Sequence, residues 1–391
     1  MPTIPQAPRL GTPQQPPWPF PEALAETRRV LSARTALVTE AESQELLSSL
    51  GRATKGEALV LQGGDCAEEF TDAVPSVAHV KVGQLLQLAA LMRRANGIDV
   101  QPVGRLAGQY AKPRSCDIEQ LPDGSSIPVY RGDAVNSPVP SGDARAADPN
   151  RLLRAYDASA EVLRAVRATW SAAPQVPRVM CAHEALLLDY EEPLVRPGSR
   201  GLYGSSGHFL WIGDRTRSTH GRHIKLGASL TNPIGVKLGP TTAASDAVEL
   251  ARRLNPAGIA GRLTFIVRLG ARRVDELLPD LVAAVDRSGV PVLWLCDPMH
   301  GNTVPGRAGH KTRLIGDVSY ETRAFVRILR RTGQHPGGLH LELTPYGVDE
   351  CVEDEREATA EQWPRCYRSV CDPRLNAEQA ERIVEDFSSQ L

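Results

Sequence analysis

Short apolar runs that end in glycine or in polar residues recur eight times along the chain. They are ALVLQGGDC (58–66), DVQPVGRLAG (99–108), PRVMCAHE (177–184) and HFLWIGDR (208–215), then PIGVKLGP (233–240), LTFIVRLG (263–270), PVLWLCDP (291–298) and GLHLELTP (338–345). Each has the length and bounding residues of a buried strand. Between them, apolar residues fall at spacings of three and four, which predicts helices near 77–95, 245–256, 274–289 and 320–333. Gly289 and Gly333 close two of these just before the next strand. The final stretch, 376–391, sets Ala380, Ile383, Val384 and Phe387 on one face, and two further helical patterns precede the first strand near 21–34 and 39–51.

Eight strands alternating with helices predict a parallel sheet with right-handed crossovers. Closing the eighth strand on the first gives a single (β/α)8 TIM barrel of the α/β class with an N-terminal extension. A doubly wound open sheet is the alternative. The expected division is 1–52, a Pro-rich arm to about residue 21 plus two helices, and 53–391, the catalytic barrel. The 106–176 region fits this rhythm least, with one long and partly irregular connection.

Composition narrows the function classes. The net charge of the 391 residues is -1, which gives no electrostatic reason to expect nucleic acid or a membrane as partner. No apolar run approaches the roughly 18 residues of a membrane span, and the N-terminus lacks a secretory layout. Seven scattered cysteines are no disulfide framework, so a cytoplasmic, reducing setting is expected.

In such a barrel the chemistry sits at the C-terminal strand ends. Those positions carry Asp65 and Cys66; Arg105, then Lys112, Arg114 and Ser115 in GQYAKPRS; His183 and Glu184; Asp214, Arg215 and Arg217; Lys237; Arg268; His300; and Glu342. Cys66, His300 and Glu342, with Asp372 after the last strand, are metal-ligand types that suit a borderline divalent ion. A carboxylate inside HLELT is costly without a cation nearby. Cys66 taken alone reads rather as a small buried apolar residue, and in the repeated CDP motif (296–298 and 371–373) either aspartate has a second reading as a turn former. Arg105, Lys112, Arg114, Arg215, Lys237 and Arg268 converge positive charge on the same rim, whereas Arg217 reads as well as a surface ion pair. VKLG and VRLG are the telling cases, since they place a cation at an otherwise apolar strand end. Phosphorylated, acidic small molecules are the ligands such a mouth expects.

The set LQGGDCAE, GQYAKPRS, HEALLLDYE, WIGDRTR, NPIGVKLGP, CDPMHGNT, HLELT and CDPRLN, preceded by QQPPW, closely resembles the type II 3-deoxy-D-arabino-heptulosonate 7-phosphate (DAHP) synthases. The resemblance implies condensation of phosphoenolpyruvate with erythrose 4-phosphate, the first step of the shikimate pathway, by a metal-dependent homo-oligomer. It assigns Cys66, His300, Glu342 and Asp372 to a divalent metal, Mn or Co before Fe or Zn. It gives Arg105, Arg215, Lys237 and Arg268 to phosphoenolpyruvate, and Arg114 and Ser115 to the phosphate of erythrose 4-phosphate. Lys112 falls between the two substrates. Glu184, Asp214 and Lys311 join the substrate-binding set, while Lys112, His300 and Arg215 are the candidate catalytic groups; Lys112, His300 and a bound water compete for the acid or base role.

Two departures stand out. Asp214 occupies a position where the family usually has glutamate, and Ala182 one where it commonly has serine, which leaves an amino or otherwise altered sugar phosphate as an alternative substrate. The connection after LLRAYDASAEVLRAVRATW is also shorter than in feedback-regulated members. That implies a form without aromatic amino-acid inhibition, of the kind that feeds specialised metabolism such as phenazine formation. A non-catalytic relative that binds a metabolite or partner is the alternative from another class. Cys371, next to Asp372, is expected near Cys66, where oxidation to a disulfide would expel a metal.

Overall fold

The computed structural model describes residues 11–121 and 123–391, so the first ten residues of the expected arm lie outside the described residues. All eight expected strands are present: β1 Ala58–Gly64, β2 Asp99–Arg105, β3 Met180–Glu184, β4 Phe209–Ile212, β5 Ile234–Leu238, β6 Leu263–Val267, β7 Leu293–Cys296 and β8 Pro336–Glu342. They form one closed barrel of parallel neighbours. β8 pairs with β1, with Glu342 opposite Gly64, and this closure decides against the open sheet.

The outer helices include Pro75–Asn96, Arg151–Ala172, Ala244–Leu254, Val274–Arg287, Ile315–Arg331 and Ala377–Ser388. Ile315–Arg331 begins a turn before its expected start, because Ile315 and Val318 are buried and extend the apolar face past Gly316. The irregular 106–176 region resolves into a small hairpin (Ile118–Gln120 with Ser126–Pro128), a single turn at Gly142–Arg145 and the long helix Arg151–Ala172.

Side-chain alternation along the strands sorts the chain into layers. Leu59, Leu61, Leu210, Ile212, Val236 and Leu238 pack outward in the cluster shared with the helices. Val60, Val103, Met180, Ala182, Phe209, Trp211, Ile266, Leu293 and Leu295 form the inner cluster. Leu46, Leu50 and Ala53 of the helix Glu40–Thr54 belong to that inner cluster as well. Burying Leu46 and Leu50 stabilises the fold by about 1.5–3 kcal/mol each. The helix starts on a capping box in which Thr39 and Glu42 bond each other's backbone N–H, at 3.2 and 2.7 Å. Nearer the C-terminal strand ends the inward positions turn polar, with Gln62, Arg105, Glu184, Lys237, His340 and Glu342, and this layer becomes the site.

His208 shows what burial does to a group outside that layer. It is fully buried, and its Nδ1 accepts a hydrogen bond from the Cys181 backbone N–H at 2.9 Å. Burial lowers its pKa from 6.5 to about 4, with Glu42 opposing and Arg167 reinforcing the shift. A depressed folded pKa contributes stability above the unfolded value that is lost as pH falls toward the folded one. Wild-type stability is therefore expected to drop between about pH 6.5 and 4. His208→Asn keeps an acceptor for Cys181 and should flatten that drop in denaturant midpoints taken across the interval; an unchanged slope would show that His208 contributes nothing there.

Candidate active site

Four chain segments bring the expected metal ligands together. Cys66 follows β1, His300 follows β7, Glu342 ends β8 and Asp372 lies in the loop beyond it. Ligand atoms of Cys66, Glu342 and Asp372 all lie within 4.8 Å of one another. His300 Nε2 stands 2.9 Å from Glu342 Oε1. The Asp372 backbone N–H donates to Cys66 Sγ at 3.2 Å. One thiol, one imidazole and two carboxylates in this arrangement fit a divalent metal ion.

The two CDP motifs divide the work. Asp297 Oδ1 accepts from the backbone N–H groups of Met299 and His300, at 3.1 and 3.2 Å, and so shapes the turn after β7. The same carboxylate lies 2.8 Å from His300 Nδ1, which fixes the ring and turns Nε2 toward Glu342. Asp372 instead sits in the donor cluster itself. Burial alone would raise the Glu342 carboxyl, but His300, Lys112 and Arg313 hold it well below the ordinary range. Arg105 and Arg313 bond its two oxygens at 3.1 and 2.8 Å.

Next to this corner is a cavity of about 150 Å³ lined by Arg105, Lys112, Glu184, Asp214, Arg215, Lys237, Arg268, His300 and Asp372, with Trp211. The cations are held from behind. Arg105 lies over the Trp211 ring, its guanidinium carbon 5.0 Å from the centroid, and its Nε donates to the Asp65 carbonyl at 3.0 Å. Lys237 pairs with Asp297; burial brings its pKa down to about 8 although Asp297 opposes the shift. Arg268 donates to Asp214 Oδ2 at 3.1 Å and to the His300 carbonyl at 2.6 Å. Lys112 Nζ stands 3.4 Å from Glu342 and 3.6 Å from Asp372.

Glu184 is the acidic member of this wall. Its Oε1 is buried without a hydrogen-bond partner, and burial pushes its pKa up against the pull of Lys112, Lys237, Arg105 and Arg215. A Cβ on Gly213 would stand 2.0 Å from that oxygen, so only glycine at the end of β4 leaves room for the carboxylate.

Three of the expected substrate-binding residues lie outside the cavity lining. Arg114 Nη1 is 4.0 Å from Cys371 Sγ, Ser115 is exposed, and Lys311 pairs with Asp372 at 2.8 Å while half exposed. Cys371 lies near enough to Cys66 for the two thiols to act on each other's pKa: burial and Cys371 together raise that of Cys66, and Cys66 lowers that of Cys371. His183 faces outward and pairs with Glu191 at 2.8 Å, away from the mouth. Residue-by-residue reading missed Trp211, Asp297 as the partner of His300, Arg313 and His340. His340 was within reach, because it stands two residues before Glu342 and so on the same inward face. Its Nε2 lies 2.6 Å from Arg105 Nη1 and 2.9 Å from Lys237 Nζ, while Nδ1 bonds Gln62 at 2.7 Å. Arg313 offered no such signal, since it reaches Glu342 from a hairpin strand outside the barrel.

The description "Class-II DAHP synthetase family" belongs to the family model that matches residues 6–176 and 173–385. A Streptomyces coelicolor protein named phospho-2-dehydro-3-deoxyheptonate aldolase is 41% identical, with 95% of this chain and 93% of that one covered. The Mycolicibacterium smegmatis protein phospho-2-dehydro-3-deoxyheptonate aldolase AroG is 35% identical over 94% of this chain and 90% of its own. A probable phospho-2-dehydro-3-deoxyheptonate aldolase of Pseudomonas fluorescens is 39% identical over 94% and 92%. Among solved structures, phospho-2-dehydro-3-deoxyheptonate aldolase from Francisella tularensis superposes with a TM-score of 0.55 over 93% of this chain and 95% of that one. At 14% identity, that likeness concerns the fold alone.

Asp297→Asn removes the anionic partner of His300 Nδ1 and is expected to weaken Mn²⁺ binding about 10–100-fold. Calorimetric titration of the metal-stripped protein reads this directly. An affinity equal to wild type would mean that His300 is oriented by something else.

Proposed function

The chain belongs to the class-II DAHP synthetase family, and from that premise we propose how its barrel mouth condenses phosphoenolpyruvate with erythrose 4-phosphate to give DAHP and phosphate. The observation that carries the proposal is the convergence of Arg105, Lys112, Arg215, Lys237 and Arg268 on one cavity beside the Cys66, Glu342 and Asp372 donor cluster, with His300 Nε2 2.9 Å from Glu342. A hydrolase site of the same fold has no need of so many fixed cations.

In this reading Arg105, Lys237, Arg268 and Arg215 hold the phosphate and carboxylate of phosphoenolpyruvate. Arg105, Lys237 and Arg268 are anchored by Trp211, Asp297 and Asp214, so these three do not reorganise when the anion arrives. Lys112 lies between the two substrates, with Arg114 and Ser115 receiving the phosphate of the aldehyde. A divalent ion on the four donors supplies Lewis acidity for the aldehyde oxygen when bound. Carbon 3 of phosphoenolpyruvate forms the new bond to the aldehyde carbon, and positive charge develops at carbon 2. Water adds at carbon 2, and phosphate leaves as its carbon–oxygen bond breaks. The raised pKa and open Oε1 of Glu184 suit it to hold or release a proton as that water adds.

The donor set favours Mn or Co, with Fe or Zn compatible. Seven scattered cysteines support a cytoplasmic, reducing setting; homo-oligomeric assembly rests on the family resemblance. Among the described residues no helix is long and apolar enough to cross a membrane. The short link from the helix Arg151–Ala172 to β3 at Met180 supports a form without aromatic feedback and a place in specialised metabolism.

Erythrose 4-phosphate is favoured over an amino analogue. Asp214 is committed to Arg217, Gly239 N–H and Arg268, at 2.8, 3.2 and 3.1 Å, and so serves the arginine rather than a substrate amine. Ala182 lies in the apolar inner cluster below the polar layer.

Metal-loaded protein should release phosphate from phosphoenolpyruvate only when erythrose 4-phosphate is present, and EDTA should stop it; release without the aldehyde would contradict the proposal. Glu184→Gln is expected to lower kcat about 10²-fold while the KM for phosphoenolpyruvate stays within a few-fold. Full activity in that variant would remove Glu184 from the proton transfers.

A further inference from the structure

The QQPPW stretch of the N-terminal arm has no part in the mechanism above, yet its two glutamines reach the rim of the site. Gln14 donates from Nε2 to the Arg114 carbonyl at 3.1 Å and accepts the Arg114 N–H on Oε1 at 2.8 Å, across one hundred residues of sequence. Gln15 makes the same two-way bond to a different loop. Its Nε2 donates to the Leu186 carbonyl at 2.8 Å, and its Oε1 accepts from the Leu188 N–H at 3.1 Å. Trp18 Nε1 adds a hydrogen bond to Asp189 at 3.0 Å. Consecutive residues thus join the loop after β2, which carries Lys112 to Ser115, to the loop after β3, which follows Glu184.

The backbone of the arm matches this task. Gln14 has φ +65°, a left-handed conformation that costs a non-glycine residue and persists where the surroundings impose it. Pro13, Pro16 and Pro17 limit the other conformations available to the segment.

The loop it grips needs support. Pro113 has no N–H to bond. The neighbouring backbone ties are Lys112 N–H to the Arg131 carbonyl at 2.9 Å before it, and Val129 N–H to the Asp117 carbonyl at 3.0 Å after it. Arg114 lies between these ties, and the Gln14 amide bonds both of its backbone polar groups.

We propose that Gln14 is a positioning residue for the aldehyde substrate: by fixing the backbone of Arg114 it sets the subsite for the phosphate of erythrose 4-phosphate, with Gln15 and Trp18 securing the strap to the β3 side. The inference rests on the assignment of Arg114 to that phosphate.

Steady-state kinetics of the full-length, metal-loaded protein test it through Gln14→Ala, Arg114→Ala and the double variant. Gln14→Ala is expected to raise the KM for erythrose 4-phosphate about 5-fold or more, from the loss of two hydrogen bonds. The KM for phosphoenolpyruvate and the Mn²⁺ affinity should stay within about 2-fold. With unphosphorylated erythrose, kcat/KM should match wild type, since no phosphate is there to misplace. In the Arg114→Ala background the effect of Gln14→Ala should shrink, with only the share carried by Ser115 remaining.

Equal changes in both KM values, an undiminished effect with erythrose, or an undiminished effect in the Arg114→Ala background would each overturn the strap. An Arg114→Ala variant with an unchanged KM for erythrose 4-phosphate would instead remove the assignment of Arg114, and the proposal with it. A shifted thermal midpoint in Gln14→Ala would not alter these readings, because the two-substrate comparison is made within one variant.

Discussion

Taking a carboxylate out of water costs several kcal/mol unless charges and hydrogen bonds replace the lost hydration. Glu342 is fully buried at the end of β8, and the mouth of the barrel is organised around that cost. Arg105 and Arg313 bond its oxygens, Lys112 approaches from the loop after β2, and His300 meets it from β7. Each of these groups is in turn committed elsewhere: Arg105 to Trp211 and Asp65, Arg313 to Thr303, Lys112 to Asp372, and His300 to Asp297, which pairs with Lys237. Removing one member would leave another buried charge without compensation. The lattice of charges is therefore rigid, and rigidity is what catalysis by fixed dipoles requires.

The same arrangement separates two tasks over a short distance. The donor set sits at the β1, β7 and β8 side, while Arg105, Arg215, Lys237 and Arg268 spread along the cavity over β2, β4, β5 and β6. Lys112 and Asp372 border both regions, since each lines the cavity and lies by the donor corner. A nucleophilic carbon held by the cations and an aldehyde oxygen directed to the donor corner would then lie side by side. Proximity of this kind converts an encounter of two dilute anions into a reaction within one site.

Much of this was legible in the sequence, because the relevant pattern is local. Strand period, helix period and glycine stops locate all eight barrel strands, and a charged residue at the end of VKLG or VRLG stands out against its own strand. The donor types Cys66, His300, Glu342 and Asp372 were visible for the same reason. What stayed hidden depends on contacts between distant segments. Arg313 touches Glu342 from an outlying hairpin, Gln14 bonds Arg114 across the chain, and Asp297 looks like a turn former until its second oxygen is seen against His300. The 106–176 excursion was opaque because its hairpin strands are only three residues long. They are secured by groups such as Arg145, which bonds Glu119 from 26 residues away. No periodicity can form over such lengths.

The central claim is that one donor corner and one ring of cations form a single reaction site. A crystal structure with Mn²⁺ and phosphoenolpyruvate, phased for anomalous scattering, tests it most directly. The expected result is an anomalous peak among Cys66 Sγ, His300 Nε2 and the carboxylates of Glu342 and Asp372. Phosphoenolpyruvate should lie beside it against Arg105, Lys237 and Arg268. A metal bound elsewhere, or phosphoenolpyruvate ordered away from those three cations, would contradict the account.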